Sequence, residues 1–254
     1  MAFFSRLFFA AGLVLSTLVL PASAASLSDT DKSEVEKIVR DYILENPGII
    51  RDALIALERE RELQEANQRR DALAANKDAI FNSQYQVVLG NPQGDVTLVE
   101  FFDYNCHYCR RALGDLHRLM DEDKNLRVVL KEFPVLGEGS LEAARVAIAV
   151  NSMAPEKYLE FHNKMLESEV QANLSSAVAV AAEMGLDIPT LQSSLDNDDV
   201  RATLQEVYNI ANTLGINGTP SYVVGDEVVV GARGYDYLKE RIASYRECGS
   251  TQCQ

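Results

Sequence analysis

The chain has 254 residues, with 24 Lys and Arg against 38 Asp and Glu and a formal net charge of −14. With 47% hydrophobic and 24% charged positions it can bury one sizeable core or two modest ones, and it is neither disordered nor collagenous. Neutralising phosphates needs clustered Lys and Arg that this composition lacks, so no nucleic-acid partner is expected and soluble proteins or peptides are.

Residues 1–24 carry one charge, Arg6, then an uncharged Leu-, Phe- and Val-rich stretch from Leu7 to Leu20, then Pro21 and Ala22-Ser23-Ala24. That order predicts an export signal with a small-residue cleavage site. The alternative is an uncleaved anchor, since no charge follows until Asp29, but Pro21 leaves the apolar part short for a span. No Cys lies near the junction, so a lipid-modified N-terminus is not expected. Export would place all four cysteines where disulfides persist.

Residues 26–82 form a helical region. Val35, Ile38, Val39, Tyr42 and Ile43 recur at helical spacing, Asn46-Pro47-Gly48 breaks the run, and Ile49, Ile50, Ala53, Leu54 and Leu57 restart it. The second helix continues through Glu58-Arg59-Glu60-Arg61-Glu62 to Arg69-Arg70, where apolar residues thin out. A helix so polar cannot form a core alone. It is either a solvated linker or an oligomerisation stalk that uses the Ile49 to Leu57 stripe.

Beyond Ser83 the period changes. Gln86 to Leu89 reads as a short strand, Asn91-Pro92-Gln93-Gly94 as a turn, and Val96 to Phe102 as a buried strand. A helix should begin at Cys106 and run to about Glu122, followed by a strand over Leu126 to Phe133. Strand, helix, strand implies parallel pairing through a right-handed crossover. Helices are expected over Ser140–Met153, Pro155–Glu167, Leu174–Met184 and Asp198–Leu214. Gly218-Thr219-Pro220 leads into a hairpin, Ser221–Val224 and Glu227–Val230 around Gly225-Asp226, and a helix over Tyr235–Arg246 closes the domain.

The sharpest motif is Phe102-Asp103-Tyr104-Asn105-Cys106-His107-Tyr108-Cys109, two cysteines with two residues between them at a strand-to-helix junction. In the first turn of a helix the unpaired N–H groups and the positive dipole end stabilise an anion, so Cys106 should ionise readily. Cys109 lies one turn deeper on the same face, within disulfide reach. Cys106 is thus the expected attacking sulfur and Cys109 the resolving one, in thiol–disulfide exchange with a client protein. His107 can add positive charge beside Cys106. A structural disulfide and half of a zinc site are the competing readings; zinc would need a second pair of ligands.

The Val96 to Arg111 run, the helical stretch after it, the Gly218-Thr219-Pro220 loop and the closing hairpin and helix resemble the DsbA family of thioredoxin-fold oxidoreductases. The likeness covers about Gln86 to Arg246, and with the preceding helices the whole is similar to the ScsC-like branch. It implies an α/β thioredoxin-like domain over residues 83–254, with a helical insertion at about 140–214 and the N-terminal helical region before it. By the same resemblance the protein would be periplasmic, would act on exported clients with thiols or disulfides and with a membrane redox partner, and could form a homo-oligomer through residues 26–82, as some members of that branch do. Its redox centre would be the Cys106–Cys109 disulfide, with no other cofactor and no metal. Pro220 would be a cis-proline facing the cysteines, and Thr219 and Tyr108 would contact the client. Many relatives carry Pro or Gly where this chain has His107, so a redox potential does not transfer.

Glu100 interrupts an apolar strand six residues before Cys106. Buried under the helix start, it could exchange protons with Cys109; alternatively it pairs with Lys131 on the neighbouring strand. Cys248 and Cys253 lie close in the tail and are expected to form a surface disulfide without catalytic role. His117 and His162 read as ordinary helix residues, and Gly137-Glu138-Gly139 lacks the third glycine of a dinucleotide loop. From another class, the cysteines could buffer copper or another soft metal, as thiolates select such ions. A third reading makes the protein a structural envelope component with the charged helix as a spacer.

Overall fold

Alternation along two neighbouring strands decides where the core lies. The computed structural model describes residues 28–253, so the expected export signal at residues 1–24 lies outside the described residues. Strands β1 (Val87–Gly90), β2 (Val96–Phe102), β3 (Leu126–Glu132), β4 (Ser221–Val224) and β5 (Glu227–Val230) form a mixed sheet in the order β1-β3-β2-β4-β5. β2 and β3 are parallel, with Val96 opposite Leu126 and Phe102 opposite Glu132; the other pairs are antiparallel. Successive side chains point to opposite faces. Leu98, Phe102, Val128 and Leu130 therefore enter one apolar cluster, and Val99, Phe101, Val129 and Val223 another.

The first face is covered by α4 (His107–Glu122), α5 (Glu138–Met153), α6 (Tyr158–Glu167), α7 (Leu174–Glu183), α8 (Ile188–Ser194) and α10 (Tyr235–Cys248). The second is covered by the end of α2 (Gly48–Ala75), α3 (Lys77–Phe81) and α9 (Asp198–Thr213). Both faces being buried explains the nearly continuous apolar run of β2. Fully buried side chains such as Phe101 and Phe102 each contribute about 2–3 kcal/mol of transfer free energy.

The elements follow the expected order, with two additions. The helix from Gly48 ends at Ala75, where the Asn76 carboxamide donates to the Ala72 carbonyl (2.8 Å) and the chain restarts as α3. The carbonyls at the end of α3 are claimed by two cations from the sheet: Lys131 Nζ donates to Ala79 O (3.0 Å) and Arg127 to Phe81 O (2.7 Å). Helix α8 buries only Leu191, so it has no apolar periodicity to reveal it; Asp187 caps it by accepting from Thr190 N–H (2.8 Å). Gly225 takes the positive φ (54°) that the two-residue hairpin turn requires, and a Cβ there would strike the Tyr245 ring.

The chain divides into two units between Arg59 and Glu60, within α2. In the first unit α1 (Asp29–Glu45) starts from a capping box between Ser28 and Asp31 and buries no residue. Ile38, Tyr42, Leu44, Leu54 and Leu57 are exposed. Among the described residues, no helix is long and apolar enough to cross a membrane.

Lys131 is buried, and its ammonium pairs with Glu206 on α9 (3.1 Å) as well as with Ala79 O. Desolvation pulls its proton affinity down, and Glu206 opposes that. Removing one partner of a buried pair strands the other. Glu206→Ala should therefore destabilise the fold by about 3 kcal/mol. The double variant Lys131→Met/Glu206→Leu should lose less than about 1 kcal/mol, both read from urea midpoints.

Candidate active site

Strand β2 ends at Phe102, and a four-residue turn carries the chain into α4. The turn is tied by Asp103, which is fully buried. Its Oδ1 accepts from Asn105 N–H (2.8 Å), its Oδ2 from the N–H groups of Val135 and Leu136 (2.9 and 3.0 Å), and its carbonyl from Cys106 N–H (3.0 Å). This Asx turn leaves Cys106 as the N-cap of α4, with extended backbone (φ −81°, ψ 114°). Cys106 and Cys109 are both free thiols and almost fully buried. Opposite them the Thr219–Pro220 peptide is cis, Pro220 is buried, and the Cys106 thiol donates to the Thr219 carbonyl (3.1 Å). The Pro220 carbonyl is occupied by Gly231 N–H (2.9 Å), so the loop is held from behind by the hairpin.

These surroundings pull Cys106 from an ordinary 9.0 down to about 5. The largest cause is the Cys109 thiol donating to its sulfur. Burial opposes it, and the Thr219 side chain and the N–H groups of Cys109 and Tyr108 assist. In the thiol state neither amide closes a cap hydrogen bond; they act as the positive end of α4. Cys109 moves the opposite way, held protonated by burial first, then by its bond to Cys106 and by the Glu100 charge. The pair thus consists of one easily ionised sulfur and one protected thiol.

Glu100 is buried on the α4 side of the sheet, opposite Leu130 on β3 and Tyr222 on β4. Lys131 is one residue out of register, on the other face, and is committed to Glu206. The expected alternative of a Glu100–Lys131 ion pair is therefore corrected: a parallel register that aligns Glu100 with Leu130 separates the two by the thickness of the sheet. Burial raises Glu100 to about 8, against the hydrogen bond from Tyr222 and with a further push from Cys106. Tyr222 was not foreseen. Its signal is the alternation of β4, which puts positions 222 and 224 on the face toward α4.

His107 is exposed at the first position of α4 and meets the Tyr108 ring edge-on at 5.9 Å. The main groups that lower Cys106 are the Cys109 thiol, Thr219 and the helix amides, and His107 is not one of these. Tyr108, in the first turn of α4, is 57% exposed, and Leu136 (54%) and Val170 (63%) are exposed apolar side chains as well.

A second buried acid lies below the turn. Glu132 accepts from Tyr158 (2.5 Å) and Tyr104 (3.4 Å) and is raised by burial to about 8. His162 stacks on Tyr158, and burial lowers it to about 3, so it stays neutral. It is a helix residue as expected, though a buried one. Cys248 and Cys253 form the expected tail disulfide, and both are exposed. Among the described residues, no three His, Cys, Asp or Glu side chains are grouped so as to hold a metal ion.

A dithiol at a strand–helix junction, facing a cis-proline loop across a thioredoxin-type sheet, defines the thioredoxin-fold thiol–disulfide oxidoreductases. Comparison with known proteins gives the particular family. The profile of the DSBA-like thioredoxin domain matches residues 97–243, and that of the copper resistance protein ScsC N-terminal domain matches residues 31–64. The chain belongs to the DSBA-like family of thiol–disulfide oxidoreductases and carries an ScsC-type N-terminal region. A thioredoxin-like oxidoreductase from Silicibacter pomeroyi is 43% identical, with a TM-score of 0.66, 68% of this chain and 99% of that one being covered. Proteus mirabilis ScsC in a transitional conformation is 30% identical with a TM-score of 0.64, over 89% of this chain and 99% of that one. Disulfide bond formation protein D of Bacillus subtilis is 26% identical over 168 residues, 62% of this chain and 75% of that protein. The chain also matches Na(+)/H(+) antiporters NhaA, but spans only about a fifth of their length (22% for that of Herminiimonas arsenicoxydans).

The thiolate absorbance of the reduced protein should rise with a midpoint near pH 5 and vanish in Cys106→Ser. Because folding lowers this ionisation from 9.0, its contribution to the reduced fold is complete above pH 9 and is lost as pH falls through about 5. The gap between the denaturant midpoints of reduced wild type and Cys106→Ser should accordingly close toward the acid end. A thiolate midpoint near 9 would contradict the anion-stabilising geometry.

Proposed function

We propose that the protein forms or rearranges disulfides in exported client proteins, with Cys106 as nucleophile and Cys109 as resolving thiol. The observation that carries this reading is the division of labour between the two sulfurs, one lowered to about 5 and the other kept protonated, beside the cis Thr219–Pro220 loop. In isomerisation the Cys106 thiolate attacks a client disulfide, giving a mixed disulfide and a client thiolate. A second client thiolate then attacks the mixed bond and releases Cys106, with no net oxidation. If the client stalls, Cys109 gives its proton to Glu100 and attacks the Cys106 sulfur. The client then leaves reduced, and the Cys106–Cys109 disulfide forms. Run backwards from that disulfide, the same steps oxidise a client dithiol. A membrane redox partner would then reset the pair.

The residues around the pair have distinct tasks here. The backbone of Thr219 aligns an extended client segment, Pro220 holds that backbone open, and Tyr108 on the rim packs against the client. Glu100 is the proton relay, with Tyr222 orienting it. Burial raises Glu100 to about 8, close enough to neutrality for it to exchange protons with Cys109 and with solvent. His107 tunes the exposed edge of the site.

Several features support an exported, assembled form. The export-type segment at residues 1–24, the match of residues 31–64 to the ScsC N-terminal domain and the exposed Ile38, Tyr42, Leu54 and Leu57 fit a periplasmic protein that oligomerises through residues 26–82. Multiple active sites on one assembly favour isomerisation over oxidation. The soft-metal reading is not favoured, since over the domain that carries Cys106 and Cys109 the chain matches disulfide-forming and thiol–disulfide exchange proteins.

Cys109→Ser should accumulate a mixed disulfide with a client, whereas Cys106→Ser should trap none and lose scrambled-client refolding; equal activity in wild type and Cys106→Ser would remove the proposal. Glu100→Gln should slow resolution by Cys109 about tenfold and abolish the rate inflection near pH 8, without unfolding the protein. Leu54→Asp with Leu57→Asp should reduce the solution mass to that of a single chain and depress isomerase activity more than reductase activity.

A further inference from the structure

Asn105, the residue before Cys106, does not face the sulfur chemistry. Its carboxamide reaches across to the helical insertion. Nδ2 donates to Ser140 Oγ in the first turn of α5 (2.9 Å) and to the Ala172 carbonyl in the α6–α7 connection (2.9 Å), while Oδ1 accepts from Ala172 N–H (2.8 Å). One side chain thus satisfies both backbone groups of Ala172, the way a neighbouring strand would, and Ala172 is 2% exposed. The insertion is tight against it: a Cβ on Gly139 would stand 2.6 Å from Ala172 O. Leu174 N–H is tied in turn to Glu142 (3.0 Å).

This connection also carries Val170, one of the most exposed apolar side chains, two residues before the Ala172 that Asn105 holds. Asp103 holds a different segment, Val135 and Leu136, through their N–H groups. The two polar residues just upstream of the nucleophile therefore each anchor one wall. The walls differ in kind. The Val135–Leu136 segment follows β3 directly, whereas the 168–173 connection hangs between two helices of the insertion and has its inner attachment in Asn105.

We infer that Asn105 is a specificity-determining positioning residue, which locks the 168–173 connection of the insertion to the nucleophile turn so that a polypeptide client meets a preformed wall beside Cys106. This deepens the proposed exchange activity and rests on it. Without the carboxamide the wall loosens and must be ordered anew with each client, a cost that a small disulfide, which needs only the sulfur, does not meet. Asn105 touches neither sulfur, so the ionisation of Cys106 should stay where Cys109 and the helix amides put it.

The test compares reduction of glutathione disulfide with reduction of insulin by the full chain, together with the Cys106 titration midpoint and hydrogen exchange at the Ala172 amide. In Asn105→Ala, kcat/KM for insulin should fall about tenfold, chiefly through KM, and that for glutathione disulfide less than about twofold. The Cys106 midpoint should hold and Ala172 should exchange faster. Ser140→Ala, which removes one bond of three and adds no charge, should show a smaller loss of the same kind and carries the comparison if Asn105→Ala does not fold. An equal fall for both substrates, a shifted Cys106 midpoint, or no change for insulin would overturn the inference. A wild-type chain that reduced neither substrate would overturn the exchange reading itself, and this inference with it.

Discussion

The chemistry of this protein depends on where one sulfur stands: at the N-cap of α4, with a thiol donor one turn below it and the positive end of the helix behind it. Everything else in the site can be derived from keeping that position while denying it to a second sulfur. Cys109 is placed to donate, so its own ionisation is suppressed by the same hydrogen bond that favours Cys106. The asymmetry follows from a three-residue step along a helix, and it needs no external charge. His107 accordingly contributes less to it than its position in the sequence suggests.

Keeping the N-cap fixed is the work of the turn that precedes it. Asp103 satisfies four backbone N–H groups between its carboxylate and its carbonyl, and so closes the end of β2, the start of α4 and the segment after β3 into one body. Asn105 extends that body into the insertion. The sheet supplies the other side: β4 pairs with β2, and the cis Thr219–Pro220 peptide at its start brings the Thr219 carbonyl to the sulfur. Buried acids accompany this arrangement on the same face, Glu100 under the cysteines and Glu132 beneath the turn, each neutralised by burial and held by tyrosines.

The division of the two sheet faces explains why charged residues in apolar strands take different roles. Glu100 and Lys131 both interrupt hydrophobic runs, and in sequence they look like partners. A parallel register places them on opposite faces, so Lys131 serves the attachment of α3 and α9 while Glu100 is left to the sulfur side. Periodicity reveals that each residue is buried; only the register reveals against what.

Local chemistry was enough for much of this protein. The period-2 run of β2, the two-residue spacing of Cys106 and Cys109 at a helix start, the Gly225-Asp226 hairpin and the short loop joining Cys248 to Cys253 are all near-neighbour effects, settled by chain geometry over a few residues, and they were legible in the sequence. The hold of Lys131 and Arg127 on α3, the unseen helix α8, the partner of Glu100 and the grip of Asn105 on Ala172 were not. Each depends on a group dozens of residues away, or on a single buried side chain too few to make a pattern. The sequence by itself indicated which sulfur would ionise, because the two-residue spacing at a helix start sets the Cys109 donor and the first-turn amides beside Cys106 within a few residues of chain. Only the tertiary structure decided what stands around that sulfur, because pairing register and the docking of the insertion are set by packing across the whole domain.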